Sequence, residues 1–152
     1  MKHTGFIIAI LLSAAVSAPT LSAGPTITEW SEEGFVELFN GENLDGWQTS
    51  GNWVVADGVV TLRPRSGETG WQRYDAYLTT EKQYRNFILD LEFMFEPEGN
   101  SGVFLRVGDL EDHVSSGMEI QILDTHGLEK PGNHDCGGII RTTAPFTNAV
   151  KP

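Results

Sequence analysis

The run Met118-Glu119-Ile120-Gln121-Ile122-Leu123-Asp124 carries the residues best suited to chemistry. Its alternation predicts a β-strand with Met118, Ile120 and Ile122 turned into a core and Glu119 and Gln121 side by side on the other face. A carboxylate held on a rigid strand beside an amide suits proton transfer, and glycoside chemistry in particular needs carboxyl groups held at fixed separation. Asp124 lies five residues after Glu119, so a regular strand turns it to the opposite face. A β-bulge near Leu123 would return it to the row of Glu119 and Gln121. The competing reading is an ordinary solvated strand face.

The preceding segment adds possible partners. Gly99-Asn100-Ser101-Gly102 leads into Val103-Phe104-Leu105-Arg106. Strand alternation puts Gly102, Phe104 and Arg106 on one face, where Arg106 would orient the Glu119 carboxylate or hold a sugar oxygen with paired donors. The plainer alternative is a surface ion pair, worth little to stability. Asn100, in the Gly-Asn-Ser-Gly turn before that strand, is a candidate substrate contact. Trp47 follows Leu44-Asp45-Gly46, and Trp71 sits in the Gly-rich stretch from Gly67. Indole rings in such loops can stack on the C–H face of a sugar while their N–H stays wet. Trp53, within a strand, reads as core.

Asp124, His126, His134 and Asp135 carry metal donor atoms, but their spacing fits no established ligand pattern. No metal or other cofactor is therefore expected, and His134 is read as a substrate contact. Cys136 is the single cysteine, so no intrachain disulfide can form. His134 is near it, but the flanking Asp135 and Gly137-Gly138 complete no cysteine-hydrolase pattern, and Cys136 reads as a small apolar filler. No Ser-His-Asp order, phosphate loop or dinucleotide fingerprint occurs.

The elements that must position these residues are short strands. Phe35 to Phe39 is stopped by Asn40-Gly41. Trp53 to Val55 and Val59 to Leu62 flank Ala56-Asp57-Gly58 and predict a hairpin, because Asp-Gly accepts the positive φ of a tight turn. Tyr77 to Thr79 is a further candidate. From Phe87 to Phe95, Phe87, Leu89, Leu91, Phe93 and Phe95 alternate with Ile88, Asp90, Glu92 and Met94, so one face is wholly apolar. Val103 to Val107, Met118 to Leu123 and a weaker Gly138 to Arg141 complete the set. Helical periodicity is absent after residue 23. Many short strands with Gly-rich turns indicate an all-β sandwich or jelly roll.

The N-terminus reads separately. Lys2 and His3 precede an apolar run from Gly5 to Val16, and Leu21-Ser22-Ala23 precedes Gly24. That order is a secretory signal peptide over residues 1–23, cleaved after Ala23. The run is short for a membrane span, which needs ~20 residues, and no cysteine near the cut could carry a lipid anchor. Residues 24–30 are a linker, and 31–152 form the domain. Removing 1–23 takes away Lys2 and no acid, moving the formal net charge from −11 to −12. Such a surface repels nucleic acid and anionic membranes and is compatible with a neutral partner such as a carbohydrate. An exported, periplasmic or extracellular location follows. The sequence stops at Lys151-Pro152 without a closing strand, which reads as the N-terminal part of a longer domain.

Taken in order, these segments resemble the 3-keto-disaccharide hydrolase family of exported bacterial proteins. The resemblance runs from about Ser31 to the end. It is carried by Phe35 to Gly41 with Leu44-Asp45-Gly46-Trp47, Trp53 to Gly58, Leu78 to Tyr84, Phe87 to Phe95, Gly99 to Arg106, Met118 to Asp124, and Ala144-Pro145 with Asn148 to Pro152. It implies a concanavalin-like jelly roll and cleavage of glycosides oxidised to a 3-ketone, with Glu119 as base and Arg106 or Gln121 steadying the developing oxyanion. Glu119-Ile120-Gln121-Ile122-Leu123-Asp124 also looks like the Glu-x-Asp-x-x-Glu strand of laminarinase-type retaining glycosidases. Gln121 replaces the middle acid of that pattern and Asp124 the last. A sugar-binding module without activity is the third reading, since jelly rolls serve both uses.

Overall fold

A computed structural model describes residues 11–15 (backbone), 35–68 and 77–151. Trp71, the linker and most of the proposed signal peptide lie outside the described residues. Among the described residues the regular elements are nine strands and a single four-residue helix, a nearly all-β content consistent with the expected jelly-roll β-sandwich. The chain divides into two compact units, Met1–Met94 and Phe95–Pro152.

In the first unit, β1 (Leu11–Ala15) lies between β2 (Phe35–Glu37) and β7 (Ile88–Glu92), antiparallel to both. This strand falls within the apolar run read as an export signal. β3 (Trp47–Gln48) pairs with β6 (Thr79–Thr80), and β4 (Trp53–Ala56) with β5 (Val59–Leu62). The β4–β5 hairpin turns on Asp57 and Gly58 at φ 53° and 75°, the pair of positive φ values of a two-residue turn that matches strand twist. Its open end is closed by Arg63 N–H donating to Asn52 O at 2.9 Å and Asn52 Nδ2 donating to Arg63 O at 2.8 Å. Phe39 and Val60 are the buried apolar residues here.

Several elements differ from the sequence reading in extent. β2 ends at Glu37 rather than Phe39, and a turn begins at Asn40, whose Oδ1 accepts from the N–H groups of Glu42 and Asn43, both at 2.9 Å. The sixth strand is Thr79–Thr80 rather than Tyr77 to Thr79. β7 covers Ile88–Glu92, the residues matched by Leu11–Ala15, and Phe93 and Met94 beyond the ladder are exposed. Within β7 the expected alternation holds, with Leu89 and Leu91 more covered than Ile88, Asp90 and Glu92.

The second unit is built on β8 (Asn100–Leu105) and β9 (Met118–Leu123), an antiparallel pair. Between them, α1 (His113–Ser116) is one turn, capped where Asp112 Oδ1 accepts from Ser115 N–H at 3.1 Å. Sequence periodicity missed it because a single turn has no period to detect. β9 has the bounds expected. Gly138 to Arg141 is not a strand; Ile139 alone bridges, to Ile120 and to Thr143.

Candidate active site

Two strands and a returning segment form the site. Antiparallel partners lie on the same face of a pair. Glu119 opposes Phe104, Gln121 opposes Gly102 and Leu123 opposes Asn100. Asn100, Gly102 and Phe104 therefore share one face with Glu119 and Gln121, as alternation predicts. Ile120 and Ile122 lie on the other face, where Ile122 is buried; Met118, also expected in the core, is 40% exposed at the strand's start.

The outer edge of β9 is paired as well. Gln121 N–H donates to Gly138 O at 2.9 Å, Gly137 N–H to Gln121 O at 2.8 Å, and Ile140 N–H to Glu119 O at 3.0 Å. The backbones of Glu119 and Gln121 are thus held on the side away from β8, which makes their pairings with Phe104 and Gly102 the close, non-hydrogen-bonded kind. Glu119 uses that closeness: its side chain lies across Gly102. A Cβ at position 102 would stand 2.8 Å from Glu119 Cγ, 2.9 Å from Cδ and closer still to Oε1. Glycine at 102 is what leaves room for the carboxyl group.

Burial pushes the Glu119 carboxyl above its ordinary pKa, and the charges of His134 and then Arg141 pull it part of the way back. Phe104, opposite Glu119 and edge-on to His113 with ring centroids 6.3 Å apart, supplies an apolar wall on this face. Gln121 is 8% exposed, and among the described residues its Oε1 is buried with no hydrogen-bond partner. A half-buried carboxylate, a neighbouring amide oxygen in need of a donor, and nearby positive charge can accept a proton from carbon and hold a polar sugar group.

Other expected site residues fall elsewhere. The register runs without an extra residue from Leu105↔Met118 to Asn100↔Leu123, and continues as Asp124 N–H donates to Gly99 O at 2.9 Å. There is no bulge at Leu123, so Asp124 stays on the face opposite Glu119. Its carboxylate accepts from the N–H groups of Glu98 at 3.0 Å and His126 at 3.2 Å. Those two bonds, Glu98 first, hold its pKa below the ordinary value. Arg106 lies past the end of β8, and its φ of 59° breaks the alternation that was to carry it beside Glu119. The cations acting on Glu119 come instead from the returning segment. Arg141 was missed in sequence because its proximity depends on how residues 137–143 return to β9.

The indole N–H of Trp47, expected to stay wet, is bonded within the protein. Its indole Nε1 donates to Leu38 O at 2.7 Å, so it ties down the chain after β2. Asn100 is exposed at the first position of β8, and His134 is exposed in the loop before Gly137. Cys136 is a free, half-covered thiol. Asp135 Oδ2 accepts from Gly132 N–H at 2.6 Å. Among the described residues, no group of three or more His, Cys, Asp or Glu gathers as a metal site, and no helix is long and apolar enough to cross a membrane.

Comparison with known proteins agrees with the sequence resemblance. A 3-keto-disaccharide hydrolase from Bacteroides thetaiotaomicron is 22% identical over 94 residues, which is 58% of this chain. The match spans 32% of that protein's length. No solved structure matches. Residues 34–152 match the family described as the 3-keto-alpha-glucoside-1,2-lyase-like domain, so the paired strands β8 and β9 with Glu119 and Gln121 lie inside the matched region. With that match covering most of its length, the chain belongs to the 3-keto-alpha-glucoside-1,2-lyase-like family.

Proposed function

We propose that this protein is an exported enzyme that cleaves glycosides bearing a ketone at C3, with Glu119 as the base. The ketone acidifies the adjacent C2–H. Glu119 takes that proton, the electron pair passes through the enolate, and the C1–O bond to the leaving group breaks to give an enone. Addition of water at C1 then completes a net hydrolysis. The family's description names a lyase and the relative's name a hydrolase; elimination alone and elimination followed by hydration account for the two words. Gln121, on the same face as Glu119, is assigned to the substrate's oxygen atoms, where negative charge develops.

The observation that carries this reading is the Glu119 carboxyl lying across Gly102, partly desolvated and flanked by positive charge. Burial makes it a stronger base than a solvated glutamate, and one good base suffices for elimination beside a ketone. Double displacement requires two carboxylates on one face, and Asp124 is on the other. The test is Glu119→Gln in the intact protein, assayed on a 3-keto-disaccharide and on its unoxidised parent. Loss of the base should lower turnover of the keto-sugar ~100- to 10,000-fold while sugar binding survives. Binding of either sugar without cleavage by the wild type would instead establish a binding module. Cleavage of the unoxidised sugar alone would establish a retaining glycosidase.

A further inference from the structure

The polar side chains on the Glu119 face differ in burial. Asn100 is exposed, Glu119 is half-buried, and Gln121 is 8% exposed. The backbone of Gln121 is clamped: its N–H donates to Gly138 O at 2.9 Å and its O accepts from Gly137 N–H at 2.8 Å. The residue opposite on β8 is Gly102, so no β8 side chain stands across from the amide. Among the described residues, Gln121 Oε1 is buried and has no hydrogen-bond partner. A buried acceptor left unmet costs the folded state the hydration of that atom with nothing in return. Two residues from the candidate base, on a strand held at both edges, this acceptor calls for a donor from outside the chain.

We infer that Gln121 is a specificity-determining residue whose Oε1 takes the O–H of a sugar hydroxyl on a carbon flanking the ketone, C2 or C4. The inference deepens, and rests on, the reading of Glu119 as the base that removes the C2 proton. A ketone has no hydrogen to give, so an acceptor in this place selects a hydroxyl and rejects a carbonyl. Residues two apart on a strand stand about 6.6 Å from each other. With Glu119 at the C2–H, Gln121 therefore faces the part of the ring next to C2. The same amide carries two N–H donors, which serve the oxygen where charge develops. One acceptor and one donor on Gln121 thus match the hydroxyl and the adjacent carbonyl of a sugar oxidised at C3. An analogue without that hydroxyl leaves the acceptor unmet in the complex as well, and such sites discriminate strongly against the missing group.

The test compares wild type with Gln121→Met in the intact protein, on methyl 3-keto-α-glucoside and its 2-deoxy and 4-deoxy analogues. Wild-type kcat/KM should fall on the order of 10- to 100-fold for the analogue that lacks the hydroxyl held by Gln121. Gln121→Met should lose far less on that analogue. Deoxygenation alters the intrinsic reactivity of the ring equally for both proteins, so the ratio of their losses isolates the contact. The arm that shows the coupling identifies the hydroxyl. Methionine has a similar length and removes the unmet acceptor, so Gln121→Met should keep or raise Tm. Equal losses in the two proteins on both analogues overturn the inference, as does a wild type that treats all three sugars alike. A lower Tm in Gln121→Met also counts against it, because the amide oxygen would then be satisfied within the fold, as by a buried water. Calorimetric binding of unoxidised methyl α-glucoside and its two deoxy analogues makes the same comparison without turnover. Failure of the wild type to cleave the keto-sugar counts against the proposed reaction, while the binding ratios still decide the role of Gln121.

Discussion

Gly102→Ala tests the site with the smallest chemical change available, one methyl group. A Cβ at this position would meet Glu119 Cγ at 2.8 Å and Cδ at 2.9 Å, with Oε1 nearer still. The side chain must retreat by several tenths of an ångström at Cγ and by on the order of 1 Å at the carboxylate, a displacement that can cost ~100-fold in rate. That factor corresponds to about 2.7 kcal/mol of barrier. The fold should lose much less. The colliding atoms belong to the far end of a flexible side chain, so overpacking should fall at or below the low end of the usual ~1–3 kcal/mol. Alanine also recovers roughly 0.5–1 kcal/mol of the entropy that glycine loses in a strand. The expected result is a near-native Tm with kcat/KM for a 3-keto-disaccharide reduced ~100-fold, measured by product release and thermal unfolding on the same preparation. Wild-type kcat/KM in a folded Gly102→Ala would refute the idea that Glu119 works from its position across Gly102. A loss of stability as large as the loss in barrier would show that packing, not positioning, is what Gly102 supplies.

The burial of Glu119 has a stability consequence of definite sign. Its folded pKa is raised, so the folded state is favoured below the ordinary glutamate range and loses that advantage as pH rises through the folded value. Glu119→Gln should therefore match or exceed wild-type Tm at neutral pH, with the difference vanishing in acid; a lower Tm at neutral pH would contradict this. Asp124 has the opposite sign: its contribution is present above the ordinary aspartate range and is lost as pH falls through its lowered value. Asp124→Ala should lower Tm at neutral pH, with a gap that closes in strong acid, and should leave the Glu119 carboxyl titration unchanged. Export with cleavage after Ala23 predicts that intact mass of the secreted protein places Gly24 first. It also predicts fast amide exchange in β2 and β7, which would have lost β1 between them. Met1 as first residue, with both strands protected, would assign Leu11–Ala15 to the sheet instead of a signal.

Much of this protein is legible in local sequence. Alternation alone located β9 residue for residue and put Glu119 and Gln121 on one face. Asp57-Gly58 specified its hairpin because two successive positive φ values are a local requirement with few solutions. Local patterns failed where the answer depended on distant chain. Arg106 was carried to Glu119 by extrapolating alternation past the last residue of β8, and a left-handed φ ends that alternation. Asp124 was brought back by a bulge that the register excludes, since Gly99 accepts its N–H in continuous sequence with β8. The indole N–H of Trp47 reads as wet until Leu38 O is found within its reach. Arg141 and His134 belong to Glu119 only because residues 137–140 return to the outer edge of β9. Side-chain direction along a strand follows from backbone geometry that repeats every two residues, so one stretch of sequence contains it. The charge a carboxylate experiences depends on which other segments stop beside it, and only the folded chain brings those together.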